Sequence, residues 1–221
     1  MGKLTLREIR RSLGRFLAIA ANVALGVGFF CGLRLTKTAM VRTLDAYAEA
    51  QQMYDFRLVS TIGFDETDAA KIAADSRVAA CEGTKSADAL TSTAGGASRA
   101  CKFLSLPETL DLPSLKAGRL PQTADECLAD GMLYSEQDLG QKIVLSKEND
   151  DDTLGQFTRR EFTIVGIAKS ALYINYERGS TSVGSGSLSA FVYVLPEAFD
   201  FDYDTELYLR LTPGAGDIYS D

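Results

Sequence analysis

Histidine is absent from this 221-residue sequence, proline occurs only five times and cysteine four times. Without histidine there is no imidazole to serve as base for a serine or cysteine nucleophile, and no neutral nitrogen ligand for zinc. Cys31, Cys81, Cys101 and Cys127 show no CxxC or related spacing, which argues against a thiolate metal site. Cys31 lies in an apolar run. The other three leave two readings open: a disulfide, for instance Cys81 with Cys101, or free buried thiols. No GxxxxGK[ST] phosphate loop occurs. The triplet Gly184-Ser185-Gly186 is only a truncated form of the nucleophile-elbow spacing and reads as a flexible loop. The acidic run Glu148 to Asp152 lacks the glycine and distal glutamate of a calcium loop. It reads as a solvated hairpin tip. No cofactor is expected.

What charge there is falls unevenly. Residues 1 to 42 carry eight Lys/Arg and one acid, Glu8, a net of +7, whereas residues 43 to 221 carry 15 bases and 29 acids, a net of −14. The acidic part would repel nucleic-acid phosphates, so no nucleic-acid partner is expected. The basic head surrounds an uncharged apolar run, which directs it toward a membrane surface.

That run, Phe16 to Leu33, is FLAIAANVALGVGFFCGL, and as a helix it extends about 27 Å, close to the thickness of a bilayer core. Arg15 and Arg34 at its ends can snorkel over the remaining distance. A buried helix of a soluble protein and the apolar region of a cleaved signal peptide are the alternatives. Against the latter, Arg34 and Lys37 follow the run directly, and the nearest AxA-like triplet, Ala46-Tyr47-Ala48, lies well beyond it. Lys3, Arg7, Arg10, Arg11 and Arg15 precede the run; Arg34, Lys37 and Arg42 follow it. The bias places the N-terminus in the cytoplasm, so Arg7, Arg10, Arg11 and Arg15 are the orientation residues.

Ala20, Ala24, Gly28 and Gly32 recur every four residues and form a ridge of small residues suited to close approach by another helix. Small residues are also simply common in membrane helices. Before the run, Leu4, Leu6, Ile9, Leu13 and Phe16 alternate with cations as in a short interfacial helix. After it, residues 34–54 contain neither glycine nor proline and read as a helical stalk.

From Asp55 onward the pattern is that of an α+β domain. FRLVS alternates as a strand, residues 65–73 read as a helix capped by Asp65 or Thr67 with Ala69, Ala70, Ile72 and Ala73 on its apolar side, and RVAACEGTKSADALTS reads as one returning strand. SRACKFLSL, ECLAD, KIVLS, REFTIVGIAKS, SAFVYVL and TELYLRL are further strands, so the second half is β-rich. The division is residues 1–15 as a cytoplasmic amphipathic helix, 16–33 as the span, 34–54 as the stalk and 55–221 as the outer domain.

In order along the chain, REIRRSLGRFLAIAANVALGVGFFCGLR, YDFRLVSTIGFDETDAAKIAADSRVAAC, AGRLPQTADECLAD, LGQKIVLS with EFTIVGIAKS, and FVYVLPEAFD resemble the first segment of an FtsX/MacB-like ABC transporter permease. The resemblance implies a MacB-like extracytoplasmic core domain behind one membrane helix. TELYLRL then opens a second βαβ element whose helix and closing strand are missing, as are further membrane helices, so the chain reads as incomplete at its C-terminus. The implied function is the N-terminal part of a non-catalytic permease subunit of an ABC transport or mechanotransmission system in the plasma membrane. Its partners are the lipid bilayer, further permease helices in the same or a second subunit, and a cytoplasmic ABC ATPase. The alternative is a self-standing membrane-anchored binding or sensing module. An extracytoplasmic enzyme has only the Asp65, Glu66 and Asp68 cluster to draw on, and carboxylates at a helix start ordinarily complement its dipole.

Overall fold

The computed structural model describes residues 13–92 and 98–212. The chain divides into two units, Met1–Tyr47 and Ala48–Asp221. The first is dominated by one helix, α1, Leu13–Ala50. Its apolar residues lie all round the axis rather than on one stripe, and none is buried. Such a helix belongs in a protein core or in lipid, and this one has no protein around it. Helix formers without an internal proline carry it unbroken for 38 residues. It closes where Gln52 adopts φ +52°, the role glycine usually takes, and the Met53 N–H donates to Ala48 O at 2.8 Å.

Among the described residues the second unit holds ten strands and two short α-helices. In chain order these are β1 (Phe56–Phe64), α2 (Glu66–Ala73), β2 (Val78–Thr84), β3 (Ser86–Ser92), β4 (Arg99–Ser105), β5 (Ser114–Gly118) and β6 (Glu126–Asp130). Then come β7 (Lys142–Leu145), α3 (Asp151–Gly155), β8 (Glu161–Lys169), β9 (Ala190–Val194) and β10 (Asp204–Leu211). The α+β class expected from the sequence is observed.

A three-stranded sheet has the order β1-β10-β2, with β10 antiparallel to both neighbours. Thus β1, α2 and β2 follow one another in the chain, yet the last strand separates the first two. A seven-stranded sheet runs β5-β8-β6-β9-β4-β3-β7, and β7 also pairs with β8, so the sheet closes on itself. Its interior is the main core. Phe103, Phe157 and Phe162 meet there with ring centroids 5.0 and 5.3 Å from Phe103. Each such fully buried side chain stabilises the fold by roughly 1.5–3 kcal/mol. Strand β9 is buried on both faces: Ala190, Val192 and Val194 join this core, while Phe191 and Tyr193 join a second cluster with Leu104, Leu128 and Ala168.

Three local readings are corrected. The stretch read as one returning strand is two, because the chain leaves one sheet for the other at Lys85. There the Lys85 carbonyl accepts from the Ser105 N–H, and the Lys85 N–H donates to Ser105 Oγ. The acidic run is not a bare loop: Asp150 caps α3, accepting from the Thr153 N–H at 2.7 Å. On α2 only Ala69 and Ile72 of the expected apolar side are half-buried, while Ala70 and Ala73 are exposed. Of the two possible caps, Asp65 is the one used, accepting from the Asp68 N–H at 2.8 Å.

Candidate functional site: an exposed apolar helix and a charged cleft

Helix α1 contains an 18-residue window of mean hydropathy 2.1 with none of it buried, which is long and apolar enough to cross a membrane. Leu25 and Phe29 are each 71% exposed, and Val23, Leu17 and Phe30 are similarly open. Ala20, Ala24, Gly28 and Gly32 lie at four-residue intervals on one uninterrupted helix and so share a face. A Cβ built on Gly28 or Gly32 meets no atom within 4 Å. Arg15 is on the first turn of α1; Arg7, Arg10 and Arg11 lie outside the described residues.

At the start of the second unit, residues 51–55 are tied into the domain by hydrogen bonds. The Leu112 and Asp111 N–H groups donate to the carbonyls of Gln51 and Gln52 at 3.0 and 3.1 Å. The Tyr54 N–H donates to Asp111 Oδ1 at 3.3 Å, and the Asp55 N–H to Leu209 O at 2.8 Å. Asp111 is buried, its Oδ2 has no partner among the described residues, and its backbone sits at φ +53°. Burial pushes its carboxyl up to about 7; the Tyr54 N–H opposes this and the Glu82 charge adds to it.

A polar concavity lies between the two sheets of this unit, a cleft of about 360 Å3. At its floor the Glu206 carboxylate, 2% exposed, receives five donors. Arg57 donates through Nε and Nη2, both at 2.7 Å, Lys102 Nζ at 2.8 Å, Ser86 Oγ at 3.1 Å and the Tyr208 hydroxyl at 2.5 Å. Burial works to raise the Glu206 pKa. The bonds from Arg57, Lys102 and Tyr208 more than offset it and bring the group down to about 2. Around this floor stand Asp88, Gln156, Thr153, Ser182, Val59 and Val183. Behind it Tyr173 stacks on Phe191, with the Arg178 guanidinium over both rings and paired to the buried Asp130.

The other residues singled out in sequence are not brought together with this cleft. Asp65 and Asp68 serve α2 as cap and ion-pair partner of Lys71. Ser185 stands beside Ser187, in a turn made by the positive φ of Gly184 and Gly186. All four cysteines are free, which settles the choice between disulfide and thiol. Cys101 is buried and its thiol is pushed up to about 11, largely by that burial. The GR-x-P stretch is structural. Gly118, at φ +77°, lies so close to Val165 that a Cβ would meet its carbonyl oxygen at 2.2 Å, and Arg119 forks onto Glu126.

No family model matches the chain, and no curated sequence does. Among solved structures it is similar to the periplasmic region of MacB from Actinobacillus actinomycetemcomitans. That match has a TM-score of 0.42 and 11% identity, over 72% of this chain and 69% of that one. It is also similar to the extracellular domain of the ABC-type transporter YknZ from Gram-positive bacteria, at a TM-score of 0.44 and 9% identity, over 70% of this chain and 76% of that one.

Proposed function

We propose that this chain belongs to the permease subunit of an ABC transport or mechanotransmission system. In this reading α1 crosses the membrane with its N-terminus in the cytoplasm, and residues 55–221 form an extracytoplasmic domain. The observation that carries it is α1, none of whose apolar residues is buried, while the second unit packs its own apolar residues into cores. Water does not tolerate so large an open apolar surface, and lipid covers it. The family is supported by the ordered sequence resemblance, from the basic lead-in through the GR-x-P stretch to FVYVLPEAFD.

Within this reading Ala20, Ala24, Gly28 and Gly32 seat further permease helices, and Arg7, Arg10, Arg11 and Arg15 hold the cytoplasmic end. A partner ATPase supplies the nucleotide chemistry. The outer domain moves in response and catalyses no reaction itself. Affinity capture of the tagged full-length chain from native membranes tests this: an ABC ATPase is expected in the eluate, and its consistent absence under mild detergent overturns the assignment.

A further inference from the structure

The groups lining the cleft differ in how much of their bonding capacity is already used. Glu206 has five donors on two oxygens, so its charge is fully engaged. The cations around it are not. Lys102 Nζ makes one hydrogen bond of the three an ammonium can donate, and Arg57 Nη1 makes none among the described residues. With two cations against one engaged carboxylate, the floor keeps donor capacity and net positive charge. Beside it stands Asp88, the cross-strand neighbour of Lys102 in the β3–β4 register, on the same face of the sheet. Among the described residues its carboxylate has no hydrogen bond or ion pair, although the residue is only half-exposed. Gln156 and Ser182 also line the cleft without side-chain hydrogen-bond partners among the described residues, and Thr153, whose side chain bonds Asp150, lines it too. Val59 and Val183 supply an apolar flank.

A floor with cationic donors to spare, a carboxylate beside them, neutral hydrogen-bonding groups around the rim and a small apolar patch form a definite pattern. We propose that this cleft binds a small zwitterion of the amino-acid or short-peptide class. The ligand carboxylate meets Lys102 and Arg57, its ammonium meets Asp88, and its side chain lies along Val59 and Val183. A volume of about 360 Å3 suits such a molecule, since pockets for small ligands begin near about 300 Å3. A simple anion would leave Asp88 repelled and unpaired, and a simple cation would oppose Arg57 and Lys102. This site stands on the geometry of the second unit and holds or fails independently of the permease reading.

The test is calorimetric titration of the full-length chain in detergent with the twenty L-amino acids and a set of glycyl dipeptides. At least one is expected to bind with a Kd of about millimolar or tighter. Its N-acetyl derivative and its amide, each lacking one of the two charges, are expected to bind at least about tenfold more weakly. Asp88→Asn is expected to cost about tenfold or more while the unliganded Tm stays unchanged, because that carboxylate supports no other group. Gln156→Leu gives a second variant away from the Glu206 network. If nothing in the panel binds, or the N-acetyl derivative binds as well as its parent, or Asp88→Asn binds like the natural chain, the proposal is overturned.

Discussion

Asp111 and Glu206 are both buried carboxyl groups, and their surroundings move them in opposite directions. Burial holds Asp111 up at about 7, whereas an unfolded aspartate titrates near about 3.9. Between those values the folded chain keeps a proton that the unfolded chain has released, so stability falls as pH rises from about 4 to about 7 and then levels off. Asp111→Asn keeps an acceptor for the Tyr54 N–H, suits a positive φ and removes the charge. Urea unfolding is expected to show it more stable than the natural chain at pH 8, by on the order of a few kcal/mol, and nearly equal at pH 4. Glu206 sits at about 2, below an unfolded glutamate. Its contribution is complete above about 4.3 and is lost as pH falls through that range toward 2. Glu206→Gln leaves Arg57 and Lys102 facing a neutral amide, and a loss of about 3–5 kcal/mol is expected by denaturant titration at pH 7. Neither group was legible in the sequence. Arg57 and Glu206 are 149 residues apart, and Asp111 is an ordinary loop aspartate until its burial is known.

Among the elements, strong patterns could be read and weak ones could not. Strands β3 and β8 alternate, and β9 is a short run of apolar and aromatic residues, so their periodicity marks them. Strand β5, SLKAG, is short, pairs among the described residues only with β8 and is mostly exposed, so no apolar alternation reveals it. The break at Lys85 carries neither glycine nor proline; it is fixed by Ser105 and by Phe201, whose carbonyl accepts from Lys85 Nζ. Such contacts are tertiary and leave no local trace. In α1 the small-residue ridge could be read, and it makes a direct prediction. Gly28→Leu with Gly32→Leu fills a face that is open in this chain, so the helix itself should remain stable. Capture of further membrane helices is expected to drop about tenfold or more, measured by quantitative mass spectrometry of the eluate.

At the scale of the whole molecule, charge and apolarity are separated along the chain. A head of net +7 contains the long apolar run, and a remainder of net −14 folds around its own cores. That separation suits a chain whose basic end faces an anionic cytoplasmic leaflet and whose acidic domain stays in water on the far side. In the proposed orientation the cleft between the two sheets faces extracytoplasmic solutes rather than cytoplasmic ones. The claim on which this account depends is that α1 spans the bilayer and places the second unit outside. Protease treatment of intact cells carrying one epitope at the N-terminus and another after Thr212 tests it directly. The account predicts that the distal epitope is lost while the N-terminal one is protected until the membrane is opened. Protection of both, or release of the chain from membranes by alkaline extraction, would contradict it.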